Sequence, residues 1–135
     1  MYLIIDEDNK IFKKIEMIFF FYQYSNNMSR LNKVYEELKN SDIEMYGTLK
    51  PPLGMPNFRF LFKNKYPEFN MLSVFMDVEY NHFETILKKD DECVYLDSIG
   101  YEDVCYFNTA KEIENEIKRI VDAMVMNESS SDEDN

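Results

Sequence analysis

The stretch "NFRFLFKNKYPEFNMLSVFMDVEY", Asn57 to Tyr80, decides the fold. Its first part sets Phe58, Phe60 and Phe62 against Arg59, Leu61 and Lys63. Its last part sets Leu72, Val74, Met76, Val78 and Tyr80 against Ser73, Phe75, Asp77 and Glu79. One apolar face and one largely polar face, alternating with a period of two, predict antiparallel strands packed on one side. Between the two parts, Tyr66-Pro67 marks a turn.

Downstream, "FETILKK", "ECVYLD" and "EDVCYF" continue the meander. "DSIGY" predicts a three-residue hairpin loop, Ser98-Ile99-Gly100, with Gly100 in the left-handed region. That register sets Asp97 opposite Tyr101 and Cys93 opposite Cys105. Val94, Leu96, Val104 and Tyr106 then share one face. Cys93, Tyr95, Asp97, Tyr101, Asp103 and Cys105 share the other. "TAKEIENEIKRIVDAM" closes the domain as a helix, with Thr109 and Glu112 in capping-box spacing. Ile113, Ile117, Ile120, Val121 and Met124 form its core stripe. Glu114, Glu116, Lys118, Arg119 and Asp122 are expected in solvent.

Upstream, "GTLKPPLGMP" (Gly47 to Pro56) is a connecting loop. Before it, Ile11, Phe12, Ile15, Ile18, Phe19 and Tyr22 trace one face of a helix over roughly Asn9 to Tyr24. A strand reading of this aromatic run stays open, because Phe and Tyr favour strands. "SNN" (Ser25 to Asn27) is expected to break the chain. Ser29 then caps a second helix carrying Leu31, Val34, Tyr35 and Leu38. Tyr2 to Ile5 fits a short strand or a helix lead-in. The expected fold is α+β: an antiparallel sheet of about 4–5 strands, with N-terminal helices and a C-terminal helix on one face. Residues 1–125 form a single domain. Residues 126–135, "MNESSSDEDN", form an acidic tail expected to be disordered, because it lacks apolar groups to offset the entropy of ordering.

The 135-residue chain is long enough to bury a sizeable core. It has 11 Phe and 10 Tyr but no Trp, and its net charge is −11, only part of which lies in the tail. Such a field repels nucleic acid and anionic membranes and steers basic partners. "MYLIIDEDNK" has acids where a secretory signal needs positive charge, and "IEMIFFFYQY" is too short for a membrane span. A cytoplasmic location is expected, with Cys93 and Cys105 as reduced thiols.

No metal site is expected. The two cysteines and the single histidine, His82, fall short of a zinc ligand set. The run Asp90, Asp91, Glu92 lacks calcium-loop spacing and reads as a turn. No phosphate-binding loop, dinucleotide fingerprint or nucleophile elbow is present, so neither a cofactor nor catalysis is expected. The remaining signal is a set of acids interleaved with tyrosine: Asp77, Glu79, Asp90, Asp91, Glu92, Asp97, Tyr101, Glu102 and Asp103. Carboxylates that meet Lys and Arg around a Tyr anchor suit a basic protein partner. A merely solvated sheet face is the plain alternative.

Met71 to Val121 resembles the C-terminal part of small immunity proteins of bacterial polymorphic-toxin and contact-dependent inhibition systems. The features that carry it are "SVFMDVEY", "KKDDECVYLDSIGYEDVCYF" and the capped "NTAKEIENEIKRI". The resemblance covers under half the chain and implies a non-catalytic cytoplasmic inhibitor of a cognate toxin domain such as a nuclease. Two other readings stand beside it. One is an acidic nucleic-acid mimic or viral protein that blocks a host protein; the serine-rich acidic end fits a viral or eukaryotic protein with a phosphorylatable terminus. The other is a small enzyme or ligand-binding domain with an aromatic pocket.

Overall fold

The computed structural model describes residues 6–77 and 81–133. Tyr2 to Ile5, and Val78, Glu79 and Tyr80, lie outside the described residues. Helix α1 (Asp6–Lys39) leads through a 3-10 turn into β1 (Gly47–Lys50), β2 (Asn57–Phe62), β3 (Met71–Asp77) and β4 (His82–Lys89). Two short strands, β5 (Glu92–Cys93) and β6 (Cys105–Phe107), precede α2 (Ala110–Glu133). The sheet runs in the order β1-β2-β3-β4-β5, and β6 also pairs with β4. The protein is therefore α+β, with an antiparallel sheet, a long N-terminal helix and a C-terminal helix.

The alternation read from the sequence sets the sheet faces. Phe58, Phe60 and Phe62 of β2 are buried, as are Leu72 and Val74 of β3 and Phe83 and Leu87 of β4. The register places Phe58 opposite Val74 and Phe60 opposite Leu72, so these residues share one face. Leu31, Val34 and Leu38 of α1 pack onto that face, with Ile113, Ile117, Ile120, Val121 and Met124 of α2. Removing each such side chain from water contributes about 1.5–3 kcal/mol. Rings of Phe62, Tyr66 and Phe69 meet edge-on or tilted at centroid distances of 4.9–6.0 Å where the β2–β3 connection folds back. Gly47 to Lys50, expected in the connecting loop, instead form β1 against β2, and Gly47 is required there because a Cβ would collide with the Leu61 carbonyl and the Phe60 ring.

Four further expectations are corrected. The N-terminal helices are one helix of 34 residues, without a break at Ser25 to Asn27 and without a cap at Ser29. The segment holds no Gly or Pro, and Ser and Asn each disfavour a helix by less than about 0.7 kcal/mol, too little to interrupt it. The face formed by Ile11, Phe12, Ile15, Ile18, Phe19 and Tyr22 does not join the core; all six are exposed. The third correction concerns α2: Glu114 and Glu116 are buried rather than solvated. The fourth is the hairpin. Leu96, not Asp97, pairs with Tyr101, and the two residues exchange backbone hydrogen bonds of 2.7 and 2.9 Å. The loop has four residues, with a 3-10 turn over Asp97–Ile99 and Gly100 at φ +86°. Burial of Ile99 and Tyr101 draws this loop against the core.

Cys93 and Cys105 consequently do not face each other. Cys93 pairs with Lys88 and Cys105 with Thr85, so both flank β4 but three residues apart. That offset is roughly 10 Å along the strand, beyond the reach of a disulfide. Both thiols are free. Helix α2 starts with Thr109, whose hydroxyl accepts the Glu112 N–H at 3.1 Å and donates to the Glu112 carboxylate at 3.2 Å.

Candidate functional site

The acids divide by location. Asp90 and Asp91 are the two central residues of the β4–β5 turn, with φ of +49° and +71°. A two-residue hairpin loop of this type needs positive φ at both positions, which Asp tolerates better than most residues. The Asn70 amide donates to Asp90 at 2.9 Å, so Asp90 also holds the β2–β3 connection. Glu92 follows in β5, Asp97 opens the 3-10 turn, and Glu102 and Asp103 lead into β6; all four are exposed. Because β5 and β6 lie along the same edge of β4, these six acids are strung along one edge of the sheet. Among the described residues no ion pair engages Asp91, Glu92, Asp97, Glu102 or Asp103.

Asp77 stands apart. It ends β3, half-buried, opposite His82 on β4, with its Oδ2 3.4 Å from His82 Nε2. The His82 ring lies 4.5 Å from that of Tyr106. Glu79 lies outside the described residues.

Tyr101 is not a surface anchor, because it has no exposed area. Its hydroxyl donates to Glu116 at 2.7 Å and lies 3.0 Å from the Thr85 hydroxyl. Arg119 completes the node with two hydrogen bonds to the Glu116 carboxylate at 2.6 and 2.9 Å. Burial, then the Glu116 charge, pushes the Tyr101 phenol well above its usual range. Burial and then Glu116 likewise push the Cys105 thiol up, which keeps it protonated and poorly nucleophilic. Hydrogen bonding to Glu116 raises Arg119, which stays charged. The node is a satisfied structural network that fastens α2 to β4 and to the loop at Tyr101.

The exposed aromatics of the acidic edge are instead Tyr95 and Tyr106. The expected register set Tyr95 on the same face as Asp97, Tyr101 and Asp103, and Tyr106 on the opposite one, so Tyr106 was passed over as a contact residue. Glu116 was passed over too; its only signal was the i,i+3 spacing to Arg119.

No protein family, no curated protein and no solved structure matches this chain. The site therefore rests on its own chemistry. Among the described residues no group of three or more His, Cys, Asp or Glu is placed to hold a metal ion. An open cleft of about 360 Å³ lies between α1 and β1, lined by Tyr35, Leu38, Ile43 and Gly47 among others. Neither His82 nor either cysteine borders it. No helix among the described residues is long and apolar enough to cross a membrane.

Proposed function

We propose that this protein is a non-catalytic, cytoplasmic inhibitor that binds a basic protein through the β5–β6 edge. Its partner is a toxin domain such as a nuclease, as the resemblance to immunity proteins implies. The observation that supports this most is the row of unpaired carboxylates along that edge: Asp91, Glu92, Asp97, Glu102 and Asp103. Unpaired acids of one sign repel each other within the free protein, and a cationic surface relieves that repulsion. Tyr95, exposed in the same segment, supplies the rigid aromatic contact first assigned to Tyr101. Asp77 and Asp90 are left to their structural contacts.

The test uses the wild-type chain and a variant with all five acids changed to their amides. Each is used to capture proteins from the native host, and any captured protein is then assayed for toxicity with and without the chain. A basic partner that the wild type captures and neutralises, and that the amide variant loses, supports the reading. Equal capture and neutralisation by both proteins would move the binding site elsewhere.

A further inference from the structure

The largest unexplained surface is the N-terminal half of α1. Ile11, Phe12, Ile15, Ile18, Phe19 and Tyr22 lie on one side of the helix and are between 41% and 70% exposed. Among the described residues, none of the six belongs to the core cluster or to the half-buried groups packed against it. At those exposures the six expose roughly 600 Å² per chain. That is most of the roughly 800 Å² per side found in a standard protein interface. Monomeric proteins seldom leave an apolar patch of this size in water.

Two features identify the occupant. Ile11, Ile15, Ile18 and Tyr22 are spaced four, three and four residues apart, the spacing of a coiled-coil seam. Phe12 and Phe19 flank that seam on one side. The stripe also points away from its own domain. Leu31, Val34 and Leu38 face the sheet. Carried back at about 100° per residue, that side of the helix meets Lys13, Phe20 and Tyr24, whereas Ile11, Ile15, Ile18 and Tyr22 lie nearly opposite; Met17, Phe20 and Phe21, off the stripe, are exposed as well. The Tyr24 hydroxyl indeed donates to the Gly54 carbonyl at 2.9 Å, on the domain side.

We propose that two copies of this chain associate by antiparallel pairing of their α1 stripes about a two-fold axis. Centred on the stripe, the pairing sets Ile15 against Ile18 of the second copy and Ile11 against its Tyr22. Each contact then occurs twice, as a two-fold interface requires. The antiparallel sense follows from charge. Each chain carries −11. In this arrangement the two domains, which begin near Met28, sit about 35 Å apart along the helix axis. That is several times the screening length of about 8 Å at physiological salt. A parallel pair would set the two acidic domains side by side.

The experiment is sedimentation velocity of the full chain over micromolar concentrations. The expected result is a species of twice the chain's mass, retained or strengthened by added salt, because the seam is apolar and salt screens the repulsion. Substituting Ile15→Asp with Ile18→Asp should raise the dissociation constant at least about 100-fold. Its helix content should not change, since both residues are exposed in the free chain. Met45→Asp, at an exposed site far from the stripe, should remain dimeric. In a chain with both native cysteines changed to Ser, I15C should crosslink to I18C in preference to a second I15C. A wild type that is monomeric throughout overturns the proposal, as does a dimer that survives the double substitution. A monomer that floats with lipid vesicles would assign the stripe to a membrane surface instead. Preferential I15C-to-I15C crosslinking would overturn the antiparallel arrangement.

Discussion

The two halves of α1 belong to one helix, and both carry apolar residues at helical spacing. In the C-terminal half, Leu31, Val34 and Leu38 are buried against the sheet and α2. In the N-terminal half, Ile15, Ile18 and Phe19 stand in water. Periodicity identifies a face that needs covering; it does not say what covers it. The sheet has area for only part of a helix this long. At about 1.5 Å per residue, the helix reaches well past the end of strands a few residues long. The half that overhangs is available to another molecule.

The sharpest way to break this comparison is to truncate one residue in each half. Leu31→Ala should destabilise the domain by about 2–5 kcal/mol, through lost burial and the cavity left behind. Ile15→Ala should change stability by less than about 0.5 kcal/mol at dilutions where the chain is monomeric. Urea unfolding of both variants reads the difference. Equal losses would mean that the N-terminal half packs on its own domain after all.

Glu116 and the edge acids give a second contrast: carboxylates of the same kind, one buried and paired, the others exposed. Glu116→Ala takes the charged acceptor from the buried Tyr101 hydroxyl, leaving it only the Thr85 hydroxyl, and should cost about 1–3 kcal/mol. The share from Arg119 is small, because its half-exposed guanidinium can turn to water. Asp97→Asn or Glu102→Gln should stay within about 0.5 kcal/mol. Denaturant midpoints that fall equally in all three variants would erase the distinction.

Tyr101 extends the contrast to pH. Its folded-state pKa is raised above the ordinary value of 10.0, chiefly by burial. Above that pH the unfolded chain loses the phenol proton while the folded chain keeps it, so the folded state holds more protons. The contribution is complete below about pH 10, and stability then falls by up to about 1.4 kcal/mol per pH unit as pH rises. Tyr101→Phe, which cannot ionise, should be less stable at neutral pH but should lose this part of the alkaline slope. An identical slope in both proteins would place the Tyr101 hydroxyl in water.

The sheet was legible because its strands alternate cleanly. Phe58, Phe60, Leu72 and Val74 needed only the period of two to be set on one face. The hairpin shows what that period cannot supply. Counting from a three-residue loop set Asp97 opposite Tyr101, whereas Leu96 holds that place. A slip of one residue turns a strand over, so Tyr101 goes inward and Tyr106 outward. Ile99 was the missed clue: an isoleucine inside the loop is buried, which the shorter turn did not allow for. The buried Glu116 was hidden because its partner Tyr101 had been assigned to the wrong face. Of the acidic site, the turn at Asp90 and Asp91 was readable from local chemistry. The gathering of the six acids on one edge depended on β6 returning to β4, which no local pattern encodes.

The smallest effect is expected at the other end of the chain, where α2 offers a third case for the comparison. Helix α2 runs to Glu133; Met124 is buried, whereas Val125, Met126 and Asn127 are exposed. Unlike the overhanging half of α1, the segment from Asn127 onward contains no apolar residue and so presents no stripe for another surface. It has no apolar side chain to bury, and it carries Glu128, Asp132, Glu133 and Asp134 in a chain that is already strongly acidic. Isolated helical turns of such composition are marginal in water, so ordering them contributes little to stability. Deleting Asn127 to Asn135 should therefore move the unfolding free energy by less than about 0.5 kcal/mol, the usual range for surface changes. Any gain should shrink with added salt, because it would come from relieved self-repulsion. Deleting residues 6–24 instead should leave the domain folded but abolish the dimer. A large drop in the unfolding midpoint on removing the C-terminal segment would show that it docks on the domain, and the two overhanging helix ends would then be alike.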